Sequence, residues 1–145
     1  MKRGGFSILE LLVVVAIIGI LGGISVISGR TIMKGQEEMA SVYSFRQAVS
    51  RGATAANAKG KEVRLVKRGN ELKLKDSDNK VFQTYDLAKS INTNLSDGLI
   101  LKFHPTGKIT NWTLKNLPDP VTFTTEKKTY EMIVSLIGEV KVVTK

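Results

Sequence analysis

The feature that most constrains this chain is an apolar segment, residues 5–27, which contains a single acidic residue, Glu10. The uncharged stretch 11–27, together with residues 6–9, reaches the ~20 residues that a helix needs to cross a bilayer. A carboxylate at the bilayer centre costs about 2.5–3.5 kcal/mol, so an acid in such a segment marks a functional position. The segment therefore predicts a membrane-spanning helix in which Glu10 has a role.

The residues before the apolar segment do not form an ordinary secretory signal. The leader, residues 1–5, carries Lys2 and Arg3, and its glycine pair precedes the apolar segment. In a secretory signal the small-residue cleavage site follows the apolar core, and no Ala-x-Ala-like site follows it here. Cleavage after Gly5 would leave the apolar segment on the mature protein, with Phe6 as its N-terminus. The cationic flank predicts a cytoplasmic N-terminus and a head outside the cytoplasmic membrane.

This arrangement resembles the class III signal of type IV pilins and of the pseudopilins of type II secretion and competence systems. The residues that carry the resemblance are Gly5, Phe6, Ser7, Ile8, Leu9, Glu10, Leu11 and Leu12. In that family a prepilin peptidase cuts after the glycine and methylates the new N-terminal amine. The resemblance implies cleavage between Gly5 and Phe6 and N-methylation of Phe6. A plain membrane anchor would explain the apolar segment but neither Glu10 nor the Gly-Phe junction.

The same segment predicts how the helix assembles. Phe6 and Glu10 are four residues apart and hence on one helical face, so Glu10 can accept the amine of Phe6. The resemblance implies that the amine of a neighbouring subunit is favoured, which sets the stagger between subunits. Gly19 and Gly23 form a small-xxx-small pair suited to close packing of helices, although glycine is also simply common in such helices.

Beyond residue 29 the helical pattern becomes amphipathic, and Gly60 is expected to end it. The apolar residues that recur at helical spacing are Met39, Val42, Tyr43, Val49, Ala53 and Ala56. The predicted organisation is a leader at 1–5, a transmembrane and filament-core helix at 6–28, an amphipathic helix at 29–58 and an antiparallel β-sheet head at 61–145.

After Gly60 the pattern changes to short strands and turns. The predicted strands are 62–67, 71–75, 81–85, 99–103, 109–114, 121–125, 130–136 and 139–144. The first two flank Arg68-Gly69-Asn70 and form a hairpin in which Leu72 and Leu74 share one face. A long helix followed by antiparallel strands predicts an α+β, pilin-like fold with the sheet packed on the amphipathic stripe. The lone tryptophan, Trp112, is expected in the core.

Two segments of the head narrow the resemblance to the H-type minor pseudopilins, and the D-type competence pseudopilins look much the same. Residues 101–109 resemble their strand, Phe-x-x-x-Gly turn and strand, and residues 130–142 resemble their terminal hairpin. The sequence leaves open whether the chain serves type II secretion or a competence or type IV pilus, and whether it lies at the tip or in the shaft of a filament.

A formal charge of +9 favours anionic partners, although a lysine-rich solvated surface is the simpler alternative. A basic cluster surrounds the first hairpin and consists of Lys59, Lys61, Arg64, Lys67, Arg68, Lys73 and Lys75. This cluster supports the alternative of a minor pilin that captures DNA in natural transformation by non-specific phosphate contacts. Some H-type competence pilins carry a basic turn at the terminal hairpin. The positions that match this basic turn are Gly138, Glu139, Val140 and Lys141. The acidic side chain of Glu139 weakens the inference that the turn of this chain binds DNA.

No catalytic site, cofactor site or metal site is predicted. The chain has no cysteine, and its one histidine, His104, is expected in a turn. The acidic turn 76–79 lacks the glycine and the distal glutamate of an EF-hand. We therefore predict a non-enzymatic minor pilin or pseudopilin that spans the cytoplasmic (inner) membrane once and then enters a cell-surface or periplasmic filament. The implied partners are other pilins, the prepilin peptidase, the membrane, a platform protein with its assembly ATPase, and in the alternative DNA.

Overall fold

The computed structural model describes the backbone of residues 8–145 and the side chains of these residues except 22, 24–32 and 34. The predicted cleavage site between Gly5 and Phe6 lies outside the described residues. The chain divides into two compact units, one ending at Gln36 and one spanning Glu37–Lys145. Helix α1, Ile8–Lys59, begins in the first unit and ends in the second.

Helix α1 ends where the sequence predicts. Gly60 follows its last residue with a φ of +58°, the left-handed conformation that commonly ends a helix. The N–H of Gly60 donates to the carbonyl of Asn57 at 3.3 Å. No helix among the described residues is both long enough and apolar enough to cross a membrane.

The second unit confirms the α+β class, because antiparallel strands follow the helix. Its elements are β1 Val63–Arg68, β2 Glu71–Asp76, β3 Val81–Asp86, β4 Asn92–Thr93, β5 Gly98–Phe103, α2 Asn111–Asn116, β6 Val121–Thr124, β7 Thr129–Val134 and β8 Val140–Thr144. The sequence predicts one sheet, whereas the strands form two, in the orders β3-β2-β1-β5 and β4-β6-β7-β8. The first hairpin is correct, with Leu65 opposite the buried Leu74 across β1 and β2.

The strand predicted to begin at Ile109 is wrong over most of its length, since α2 occupies that segment. Ile109 forms only an isolated bridge with Phe103. The carbonyl of Thr110 then accepts the N–H groups of Thr113 and Leu114, at 3.0 and 3.1 Å, and also the hydroxyl of Thr113 at 2.8 Å. Three donors on one carbonyl hold the chain in a helical turn, which the apolar alternation did not reveal.

The prediction that Trp112 lies in the core is also wrong, because 53% of its surface is exposed on α2. A helix of six residues presents only a narrow face to the protein. Thr113 and, just after the helix, Leu117 take the buried positions. Trp112 therefore lies at the rim of a small cavity beside Leu99 rather than inside the protein.

The buried face of α1 is shifted from the predicted stripe. Val42, Val49, Ala53 and Ala56 are buried as predicted, whereas Met39 and Tyr43 are 40% and 58% exposed. The buried residues that the pattern missed are Ser41, Phe45, Ala48, Gly52 and Ala55. The ring of Phe45 packs edge-on against Phe123 of β6, with the ring centroids 5.7 Å apart. The missed residues include several small ones, which hydrophobicity alone ranks low.

Three close approaches join α1 to both sheets. A Cβ on Gly52 would overlap the ring of the buried Phe103, at the end of β5. The turns before β8 and after β5 both approach Ala53, the next residue of α1. A Cβ on Gly138 would lie 2.9 Å from the Cβ of Ala53, and a Cβ on Gly107 would lie 3.1 Å from the Ala53 carbonyl oxygen. Both turn glycines have positive φ, +80° and +81°. Small residues therefore set the distance between the helix and the strands.

Gly52→Ala is expected to destabilise the second unit by about 1–3 kcal/mol, because the added methyl group overlaps a ring that is already buried. Gly35→Ala is the matched control, since that helical glycine has nothing within 4 Å of an added Cβ. Chemical denaturation of the two variants tests this expectation. Equal stabilities would contradict the close approach of α1 and Phe103.

Candidate functional site

The N-terminal motif is described from Ile8 onward. Glu10 lies in the first turn of α1 and is exposed in the single chain. Its predicted partner, Phe6, lies outside the described residues, so their pairing stays a prediction. A Cβ at Gly19 or Gly23 would meet nothing within 4 Å, so both positions are open helix surface in the isolated chain. Close helix packing there also stays a prediction, since it needs a second chain.

The first turns of α1 expose a large apolar surface. The exposed side chains are Ile8, Leu9, Leu11, Leu12, Val13, Val14, Val15, Ile17, Ile18, Ile20 and Leu21. Their exposed fractions run from 47% to 81%. A soluble monomer rarely exposes an apolar patch of more than a few hundred Å², and a helix that is apolar all round is ordinarily buried. This part of α1 therefore requires a cover that the isolated chain does not supply.

The basic cluster lies on and around the first sheet, but four of its seven cations already have a partner. The contacts are Lys59 Nζ with the ring centroid of Phe82 at 3.8 Å, Arg64 with Glu62 at 2.9 Å, Lys67 with Asp97 at 2.5 Å and Lys73 with Glu71 at 2.6 Å. The other three, Lys61, Arg68 and Lys75, take part in none of the ion pairs that join described residues. The charge offered to an anion is therefore smaller than the sequence suggests.

Three cations form a row across β2, β1 and β5. Arg64 lies opposite Lys75 on one side and opposite Lys102 on the other. Glu62 binds both Arg64 and Lys102, and its oxygen is 2.7 Å from Lys102 Nζ. The hydrogen bond from Lys102, helped by that from Arg64, lowers the pKa of Glu62 below its ordinary value. One acid thus holds two of the three cations together.

Asp97 neutralises a second part of the cluster. Its two carboxylate oxygens accept Lys67 Nζ and, at 3.0 Å, the backbone N–H of Gly69 in the hairpin turn. The hydrogen bond from Lys67, followed by that from Gly69, lowers the pKa of Asp97. Only 12% of the Lys67 side chain is exposed. Lys67 therefore serves the packing of the hairpin against the segment before β5.

Sequence reasoning missed Lys102, Glu62 and Asp97 as members of this surface. The alternation of β5 carries a signal for Lys102, because its neighbours Leu101 and Phe103 are buried and a strand places adjacent side chains on opposite faces. Asp97 is separated from Lys67 by 30 positions, so no local pattern joins the two.

The terminal hairpin forms as predicted, with Gly138 in its turn. The N–H of Ser135 donates to the carbonyl of Glu139 at 2.8 Å, and the N–H of Glu139 donates back to the Ser135 hydroxyl at 3.0 Å. Glu139 and Lys141 are both exposed. The turn therefore presents an acid close to a base, Glu139 and Lys141, and is not uniformly basic.

The remaining polar candidates lie in turns. His104 begins the turn after β5, where its carbonyl accepts the N–H of Gly107 and its ring Nδ1 lies 3.2 Å from the Thr106 hydroxyl. In the acidic turn, Oδ1 of Asp76 accepts the N–H groups of Asp78 and Lys80 at 3.0 and 2.9 Å. Among the residues that the structure describes, no group of three or more acidic or histidine side chains could hold a metal ion.

Comparison with known proteins gives one finding at the N-terminus. Residues 1–26 match the family described as the prokaryotic N-terminal methylation motif. This motif is the type IV pilin-like prepilin signal, and it supports the resemblance to pilins and pseudopilins. No curated protein and no solved structure matches the chain.

Glu62→Gln is expected to lower the free energy of unfolding at neutral pH by about 0.5–1 kcal/mol, because Lys102 and Arg64 lose their shared acid. The folded-state pKa of Glu62 is lowered, so its contribution is fully present above the ordinary value of 4.5 and is lost as the pH falls through the folded-state pKa. Denaturation curves measured from about pH 7 down to about pH 2 should therefore converge for the variant and the parent.

Glu71→Gln is the control, since Glu71 has one cationic partner and a side chain that is 45% exposed. We expect it to change stability less than Glu62→Gln at neutral pH. A larger effect of Glu71→Gln would contradict the shared-acid interpretation.

Proposed function

We propose that this protein is a minor pilin or pseudopilin, a structural subunit that enters a helical filament through α1. Prepilin peptidase would cleave between Gly5 and Phe6 and N-methylate Phe6. The observation that carries the proposal is the methylation motif over residues 1–26, which overlaps the exposed apolar surface of α1. Helices of neighbouring subunits, or lipid before assembly, supply the cover that this surface requires.

Glu10 gives the assembly its register in this proposal. An isolated carboxylate in an apolar filament core or in a bilayer is costly, and a positive amine beside it removes much of that cost. After cleavage the methylated amine of Phe6 is the nearest cation on the apolar segment. A pair between Glu10 of one subunit and Phe6 of the next fixes the axial offset, and Gly19 and Gly23 allow the helices to approach closely.

Before assembly the subunit lies in the cytoplasmic (inner) membrane, with the N-terminus in the cytoplasm and the second unit outside. Lys2 and Arg3 support this orientation, since positive flanks stay cytoplasmic. Extrusion uses an assembly ATPase that acts through a platform protein. The mature filament is on the cell surface or in the periplasm.

Within this class we favour an H-type pseudopilin or a D-type competence pseudopilin. The turn after β5, with Phe103 and Gly107, and the terminal hairpin around Gly138 support this choice. Type II secretion and a competence or type IV pilus are both compatible with these features, and neighbouring genes would distinguish the two systems.

Glu10→Ala is expected to leave membrane insertion and processing unchanged but to reduce the fraction of subunits in sheared filaments by about tenfold, because the amine of the next subunit loses its partner. Intact-mass measurement on the protein from its native host should give a chain that begins at methylated Phe6 for parent and variant. Glu38→Ala, an acid of the second unit, is the control. Normal incorporation of Glu10→Ala would contradict the pairing, and retention of residues 1–5 beside an active peptidase would contradict the whole proposal.

Capture of nucleic acid by the second unit is a second candidate function. The formal charge of +9 and the row of Arg64, Lys75 and Lys102 favour it. The acids Glu62 and Asp97 oppose it, because they occupy cations that would otherwise contact phosphates. Lys61, Arg68 and Lys75 are the cluster members best placed to bind DNA, since none of the three is held by an acid among the described residues.

The double variant Arg68→Gln, Lys75→Gln is expected to weaken DNA binding and to make the slope of log K against log salt less steep by about 2, because two phosphate contacts are lost. Filter binding at several salt concentrations measures this slope. The control is Lys127→Gln with Lys128→Gln, two exposed lysines in the turn between β6 and β7. Equal slopes for both pairs, or no binding at low salt, would remove this function.

A further inference from the structure

Strand β8 has an unpaired edge. It is the last strand in the order β4-β6-β7-β8, so no other strand of residues 8–145 bonds to its far side. Thr129 and Lys145 exchange both of their N–H···O bonds, at 3.2 and 2.9 Å. The N–H of Ser135 donates to the carbonyl of Glu139 at the other end of the pair. Such bonded pairs alternate along an antiparallel ladder, so every second residue of β8 directs its N–H and C=O away from β7. These residues are Val140, Val142 and Thr144.

A groove separates this edge from α1. The residues that line it opposite Thr144 and Val142 are Met39, Val42, Tyr43, Arg46 and Tyr130. A second, open cavity of about 630 Å³ shares Arg46 and Val142 with this one and extends the groove along β8 to Glu139 and Lys141. On the α1 side the most exposed apolar side chain of the groove is Tyr43, which is 58% exposed. The groove thus offers free backbone groups along β8 and apolar side chains, Met39 and Tyr43, along α1.

Arg46 gives the groove its charge. It lines both parts of the groove and also a neighbouring cavity with Tyr43, Gln47 and Ser50. Neither Arg46 nor Lys141 belongs to any of the ion pairs that the described part of the chain contains. Glu139 is the acid at the far end of the groove. A ligand that places a carboxylate near Arg46 would therefore meet an unpaired guanidinium.

We propose that this groove binds an extended acidic segment of a different protein, which adds to β8 as a further strand. In this mode of recognition the backbone bonds supply affinity, and alternate side chains entering the groove supply specificity. The carboxylate of the bound segment pairs with Arg46, and the apolar side chains of the segment pack on Tyr43. A second copy of β8 fits less well, because self-pairing brings the cation Lys141 of each copy to the same interface.

The test uses the full-length protein in detergent micelles and a labelled seven-residue peptide of alternating valine and threonine with a central glutamate. Hydrogen exchange is expected to slow by about tenfold or more at the N–H groups of Val140, Val142 and Thr144 when the peptide is added. The same peptide with lysine at its centre is expected to bind about tenfold more weakly, because it repels Arg46. Unchanged exchange at these three positions, or equal binding of both peptides, overturns the proposal.

Two variants separate the backbone contribution from that of the charge. Val142→Pro removes an N–H that makes no bond to β7, and proline is tolerated on the open side of an edge strand. We therefore expect this variant to retain the sheet and to lose binding of the peptide. Arg46→Gln leaves the backbone intact and is expected to weaken binding of the acidic peptide by about tenfold. Arg51→Gln, also exposed on α1, is the control and should bind as the parent does. Equal loss in Arg46→Gln and Arg51→Gln overturns the role of Arg46.

Discussion

The packing of the second unit depends on small residues along one face of α1. At Gly52 the ring of Phe103 comes so close to the helix that no side chain fits between them, and one residue later Ala53 meets the turns at Gly107 and Gly138. Phe103 ends a strand of the first sheet, whereas Gly138 precedes the last strand of the second. Both sheets are therefore positioned by the same turn of one helix. A larger side chain at this point would move them together, since protein interiors have little free volume.

This dependence also explains where the free surfaces are. Both sheets approach α1 with their inner faces, so the first sheet presents its outer face to solvent as a row of cations, while the second leaves the edge of β8 open beside the helix. The cations of the first sheet are partly neutralised by Glu62 and Asp97. Arg46 at the open edge forms no ion pair with an acid in the part of the chain that the structure describes. The first sheet carries more cations, but the ion pairs leave fewer of them available to an anionic partner than their number suggests. Arg46 beside the second sheet remains available.

The sequence correctly predicted those elements that depend on interactions between residues close together in the chain. The glycine stop at Gly60, the turn around Gly69 and the buried pair Leu72 and Leu74 all follow from spacing and turn residues over a few positions. The division into two sheets could not be predicted in this way, because it depends on contacts distant in sequence. One example is Ile109, whose N–H donates to the carbonyl of Leu136 at 2.8 Å instead of continuing a strand. The same distinction applies to the candidate site. The methylation motif could be predicted because it is contiguous in sequence, whereas the acidic partners of the basic cluster could not, because some of them are distant in sequence.

An open strand edge is ordinarily a hazard, because it can pair with any other exposed strand. Lys141 on β8 is the kind of charge that natural proteins place on edges to prevent such pairing, and it discourages a second copy of the same strand. It does not discourage an acidic segment, for which Lys141 and Arg46 are attractive. Lys141 therefore acts against self-association, and together with Arg46 it favours an acidic partner. In the proposed filament α1 provides the self-association, and the open edge of β8 is left for a partner of different sequence.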